Sequence, residues 1–205
     1  MAEKQWKCTV CGYLHNGKEP PDVCPVCGAN KWQFILNQPL PAELEAMLKE
    51  GFAGESKAHV RNLAFAAKAR AEGHPEVALL FTAVAQAERV HADQYLKYLE
   101  GVVGTTEENL RQAFENEMAA KQQHYPALIK AAYQAGREDV AWSLSRIRDV
   151  EGRHADLYKN ALAALAGERQ VTYHVCGVCG YVFDGPPPEH CPVCRTGRDQ
   201  FKLIT

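Results

Sequence analysis

Two octapeptides of the chain, Glu88–Tyr95 (ERVHADQY) and Glu151–Tyr158 (EGRHADLY), carry the same pattern E-x-x-H-A-D-x-Y. A glutamate and a histidine three residues apart share one face of a helix, so each copy aims a carboxylate and an imidazole at one place. In both copies that face is apolar: Phe81, Val84, Tyr95 and Leu99 flank Glu88 and His91, and Leu144, Ile147, Tyr158, Leu162 and Leu165 flank Glu151 and His154. Two further acids stand alone on apolar stripes. Glu55 (GFAGESKAH) lies among Leu44, Leu48, Phe52 and Leu63, and Glu117 (AFENEMAA) among Leu110, Phe114 and Leu128. Glu55 precedes Glu88 by 33 residues and Glu117 precedes Glu151 by 34, which reads as two similar helical hairpins. Four ionised carboxylates in a dry interior would each cost several kcal/mol or more unless paired or bound to cations. Two divalent ions cancel four negative charges, and mixed oxygen and nitrogen donors suit iron or manganese. Glu55, Glu88, His91, Glu117, Glu151 and His154 are therefore the expected ligands of a two-metal site and its catalytic residues. The bland alternative is an unusually polar core without metal.

The eight cysteines form four C-x-x-C pairs at the two ends of the chain. Cys8, Cys11, Cys24 and Cys27 are spaced C-x2-C-x12-C-x2-C, and Cys176, Cys179, Cys191 and Cys194 are spaced C-x2-C-x11-C-x2-C. Each set suits one closed tetrahedral tetrathiolate site for zinc or iron. The flanks tilt the choice. Gly12-Tyr13 and Gly180-Tyr181, Pro25 and Pro192, and Phe34 and Phe201 seven residues after each fourth cysteine resemble rubredoxin. That resemblance implies two mononuclear Fe(Cys)4 centres that carry single electrons, with zinc as a substitute. Arg195 departs from it, standing where a glycine usually follows the fourth cysteine.

The elements that must position these groups lie in the cysteine-free middle, rich in Ala, Leu, Glu and Lys. A first helix is expected from Pro39 or Pro41 to Gly73, and a second to Gly101. A third opens at TTEENL, where Thr105 and Glu108 have capping-box spacing, and is kinked by Pro126 before Gly136. A fourth runs from about Glu138 to Gly167. Two lone glutamates and two E-x-x-H pairs facing inward are the ligand set of ferritin-like di-iron and di-manganese bundles. The expected architecture is mainly α: a rubredoxin-like domain over residues 1–37, a ferritin-like four-helix bundle over 38–168, and a second rubredoxin-like domain over 169–205. A net charge of −2, from 23 basic and 25 acidic residues mixed along the chain, excludes the basic stripe of a nucleic-acid binder. No apolar run is long enough to span a membrane, and MAEKQWKC lacks a signal-like apolar region, so a cytoplasmic location is expected.

The order of these parts resembles the rubrerythrin family, on FAGESKAH, ERVHA, YPALIKAA and EGRHA followed by the short-spaced cysteine tail. Typical members carry one rubredoxin domain; this chain has one at each end. The resemblance implies a non-haem di-iron peroxidase that reduces hydrogen peroxide to water in oxidative-stress defence. Electrons would pass from an NAD(P)H-dependent rubredoxin reductase through the Fe(Cys)4 centres. Glu88 and Glu151 are then bridging ligands, Glu55 and Glu117 terminal carboxylates, and His91 and His154 nitrogen ligands, with Tyr125 and Tyr95 or Tyr158 available to hydrogen-bond a carboxylate. His59 and His124 also fall near the site. Where the family has E-x-x-E, this chain has Glu117 and Ala120, so the ligand exchanged for the helix-borne histidine is missing. Asn62 stands where the family often has tyrosine. The six remaining ligands resemble bacterioferritin, which keeps two alternatives open: an oxidase or ferroxidase using O2, or a non-catalytic electron carrier.

A ferritin-like bundle needs one long crossover, a return of roughly 35 Å at 1.5 Å per residue. GVVGT, residues 101–105, reaches only about 17 Å when extended. The expectation is a homodimer with swapped helical hairpins; an up-down-up-down monomer is the rival.

Overall fold

Helix α1 (Ala42–Ala71) begins directly after Pro41, with Glu43 and Glu45 in its first turn and Lys68 and Arg70 in its last, each sign complementing the helix dipole. Gly73, at φ +81°, reverses the chain, and Pro75 occupies the first turn of α2 (Pro75–Leu96), where its missing N–H is not needed. The inner seam of this hairpin is alanine. Ala66 and Ala69 of α1 are buried, as are Ala78, Ala85 and Ala92 of α2, the last three spaced by seven residues as a helix–helix seam requires. Larger residues occupy the shoulders: Leu44 and Leu63 of the expected stripe are 43% and 39% exposed. Phe65 and Phe81 meet edge to face at 5.4 Å, and His59 Nδ1 lies 2.7 Å from the Ala85 carbonyl, linking the helices.

The structure, a computed structural model, describes residues 3–165, 167 and 171–205. It divides into two compact units, Met1–Val103 and Gly104–Thr205, each holding one cysteine module and one helical hairpin. The expected boundary at 168/169 lies outside the described residues.

In the second unit, α3 (Thr106–Ala119) starts with the expected capping box: Glu108 N–H donates to the Thr105 hydroxyl, and the Thr105 N–H to the Glu108 carboxylate. The helix expected to run through a Pro126 kink instead passes through a π-helical turn, Ala120–His124, before α4 (Tyr125–Gln134). The Tyr125 N–H donates to Ala120 O, five residues back, so the wider turn absorbs the donor that Pro126 lacks. α5 (Glu138–Ala163) packs against both through Ala141, Val150, Gly152 and Ala155. A Cβ at Gly152 would lie 2.6 Å from Lys121 Nζ, so the lysine side chain would have to swing aside. Leu128 stays 52% exposed.

The cysteine modules share one topology. In the first, β1 (Lys4–Cys8), β2 (Leu14–Gly17) and β3 (Phe34–Leu36) form an antiparallel sheet in the order β2-β1-β3; in the second, β4 (Tyr173–Cys176), β5 (Val182–Asp184) and β6 (Phe201–Ile204) follow β5-β4-β6. Cys8 faces Phe34 in register, and Cys176 faces Phe201. The core of the first module is little more than Cys8, Cys24 and Phe34, so a bound ion must supply much of its folding energy. Among the described residues, no helix is long and apolar enough to cross a membrane.

Candidate metal centres

Each module presents two knuckles that bring four thiols together. The Sγ atoms of Cys8 and Cys27 are 3.8 Å apart and those of Cys11 and Cys24 3.6 Å; the pairs Cys176–Cys194 and Cys179–Cys191 repeat this at 3.7 and 3.6 Å. A tetrahedron with metal–sulfur bonds of about 2.3 Å has edges of roughly 3.8 Å, so both sets fit one ion each. Backbone N–H groups aim at the sulfurs. Although burial opposes ionisation, the N–H groups of Cys27 and Val26 hold the Cys24 thiol down to about 7, and those of Cys194 and Val193 lower Cys191 in the same way. The turn after the fourth cysteine is left-handed in both modules, with Gly28 at φ +75° and Arg195 at φ +65°. Arg195 therefore carries a strain that glycine avoids.

The helices build two carboxylate–histidine clusters, one per unit. In the first, His91 Nδ1 lies 3.0 Å from Glu88 Oε2 and 4.0 Å from Glu55 Oε2; in the second, His154 Nδ1 lies 3.0 Å from Glu151 Oε2 and 3.6 Å from Glu117 Oε1. All six sequence-predicted helical ligands fall in these clusters. Burial, and next the Glu151 carboxylate, push the Glu117 carboxyl above its ordinary range. The same surroundings raise the phenols of Tyr125, by burial and Glu151, and Tyr158, by burial and then Glu117 and Glu151. Such a pocket of excess negative charge is what a cation relieves. Tyr95 packs its ring over Gly51, where a Cβ would come within 2.6 Å. His59 is taken up by the Ala85 carbonyl, and His124 lies exposed on the π turn, so neither joins a cluster.

His154 Nε2 lies 3.2 Å from the Gly180 carbonyl oxygen, which can only accept. Nε2 therefore carries a proton, and Nδ1, on the side of Glu117 and Glu151, is the nitrogen available to a metal. Beside it, Arg153 Nε donates to Val182 O at 3.0 Å, and its guanidinium lies over the Tyr181 ring. The motif reading missed Arg153 and Gly180. Arg153 is signalled by the difference between the repeats, Glu-Arg-Val-His against Glu-Gly-Arg-His, which a comparison of shared residues passes over.

A family model for rubrerythrin matches residues 46–162, and the rubredoxin-like domain of rubrerythrin matches twice, at residues 6–35 and 174–202. The chain belongs to the rubrerythrin family. Nigerythrin of Nitratidesulfovibrio vulgaris is 30% identical over 167 residues, covering 75% of this chain and 83% of its own. Rubrerythrin of Porphyromonas gingivalis is 32% identical over 78% of this chain and 90% of its own. Reverse rubrerythrin-1 of Clostridium acetobutylicum is 34% identical over 57% of this chain and 74% of its own. The fold is the ferritin-like helical fold of rubrerythrin with a rubredoxin-like module at each end. Membership makes the chain an iron-binding protein of the oxidoreductase type, with two tetracysteine sites and a carboxylate–histidine site of di-iron type.

Proposed function

We propose that the chain is a peroxidase of oxidative-stress defence that reduces hydrogen peroxide to water. Electrons enter singly at the tetracysteine sites, from an NAD(P)H-dependent rubredoxin reductase or similar donor in the cytoplasm. Two are delivered per peroxide at the carboxylate–histidine site. The observation that carries this reading is the pairing, within each unit, of one Glu–Glu–His cluster with one tetrathiol cluster. A storage site needs no attached electron carrier; a site that must be re-reduced after every turnover does.

Glu55, Glu88, His91, Glu117, Glu151 and His154 would hold two irons, the four glutamates as carboxylate ligands and the two histidines as nitrogen ligands. Bound iron supplies the two electrons that cleave the O–O bond. The chain's own groups do the rest. The carboxylates balance the cation charge, the Gly180 carbonyl orients the His154 ring, and Tyr125 and Tyr158 keep their phenolic protons at neutral pH beside Glu117 and Glu151.

A cluster of three donors is half of such a site. We read the two halves as meeting across a homodimer with swapped hairpins, because residues 101–105 are short for a crossover and the α1–α2 hairpin leaves Leu63, Phe65 and Leu80 exposed. Coexpressing Glu55→Ala chains with Glu117→Ala chains tests this. A swapped dimer regains about a quarter of its intact sites in mixed dimers, whereas sites built within one chain regain none.

Ala120 in the π turn, where the family has an exchangeable glutamate, favours a second reading as an O2-consuming oxidase or ferroxidase. Stopped-flow mixing of fully reduced protein with peroxide and, separately, with O2 decides. Peroxidase chemistry predicts much faster reoxidation by peroxide; the reverse order would establish the oxidase.

A further inference from the structure

The two units repeat each other in sequence and topology but not in how the cysteine module meets its helices. In the second unit the module is fixed to α5 by three contacts. The Gly180 carbonyl faces His154 Nε2 at 3.2 Å, Arg153 Nε donates to Val182 O at 3.0 Å, and the Arg153 guanidinium sits 5.8 Å from the centre of the Tyr181 ring. Gly180, at φ +80°, lies against Val150, whose Cγ1 is 4.0 Å from where a Cβ would stand. In the first unit each counterpart is different. Val90 replaces Arg153 and is 50% exposed, Gly12 faces open space, and His91 has a side chain 56% exposed against 24% for His154. A cleft of about 640 Å³ separates Thr9, Gly12 and Gln33 of the first module from Asp93, Leu96 and Glu100 near the end of α2. Cys11 and Cys27 are exposed, whereas Cys179 and Cys194 are half-covered.

We propose that Arg153 is a positioning residue that clamps the second cysteine module onto α5, and that this module, not the first, passes electrons to the site containing Glu117, Glu151 and His154. The route runs from Cys179 through its peptide to the Gly180 carbonyl, and across the hydrogen bond into the His154 ring. Each transfer takes one electron from a ferrous tetrathiolate ion, which becomes ferric, and adds it to the helical metal pair. Two transfers and two protons convert one H2O2 into two H2O. The inference rests on the peroxidase reading for its chemistry but not for its docking geometry.

Two measurements on the full-length chain test it. In zinc-loaded protein, 15N relaxation should show the wild-type second module tumbling with its helices and that of Arg153→Gln tumbling faster, with the first module unchanged. In iron-loaded, pre-reduced protein mixed with peroxide, the ferric tetrathiolate absorbance of one centre should return about tenfold or more slowly in Arg153→Gln. Arg153→Lys should restore at most part of both, because lysine keeps the charge but not the planar fork. Unchanged module motion, or unchanged reoxidation of both centres, overturns the proposal. A wild type whose centres stay reduced in peroxide overturns the peroxidase reading instead, and the relaxation data alone then decide the docking.

Discussion

Glu117 is the residue at which the electrostatic argument is sharpest, because burial and the neighbouring Glu151 both favour its neutral form. A carboxyl whose folded pKa is raised stabilises the fold below its unfolded pKa and loses that contribution as pH rises through the folded value. Metal-free protein carrying Glu117→Gln should therefore melt above metal-free wild type at pH 7. The gap should close as pH falls to the ordinary carboxylate range, a trend that calorimetry would follow; a gap that widened on acidification would contradict the assignment. The six clustered residues were legible because glutamate and histidine on an apolar helix face are conspicuous. The carbonyls that claim His154 and His59 were not, since a hydrogen bond between distant segments leaves no periodicity behind.

Among the elements, the turn after the fourth cysteine shows what one substitution does to a repeated motif. Gly28 and Arg195 hold the same left-handed conformation, and only arginine is strained there. Arg195→Gly should stabilise the second module by ~0.5–1 kcal/mol, the relief of strain being partly offset by the greater freedom of unfolded glycine. An upward shift of thermal midpoint in the zinc-loaded protein checks it; an unchanged or lower midpoint would show that the turn is not under strain. The departure was visible in the sequence, but its backbone cost was not. The same holds for Pro126: proline announces a break in the helix, whereas the choice of a π turn depends on the hydrogen bond from Tyr125 to Ala120. Capping at Thr105 followed from local spacing and appears as expected, while the alanine seam did not, because small residues barely register in a stripe of hydrophobic ones.

At the scale of the whole molecule, each unit combines a helical hairpin that offers acids and imidazole with a sheet module that offers four thiols. Internal duplication explains why the family was readable from sequence: a single E-x-x-H pair is common, but two in matching hairpins between two tetracysteine modules leave few alternatives. What the repeat conceals is asymmetry, since one module is clamped to its helix and the other stands across a cleft. The account depends above all on the helical acids being there to hold two cations. Iron quantification of iron-replete protein, with visible and Mössbauer spectra to separate sulfur-bound from oxygen-bound iron, tests that most directly. The account predicts about four irons per chain, half of them in oxygen and nitrogen coordination, and loss of that half alone in Glu88→Ala with Glu151→Ala. About two irons per chain, all bound to sulfur, would contradict it.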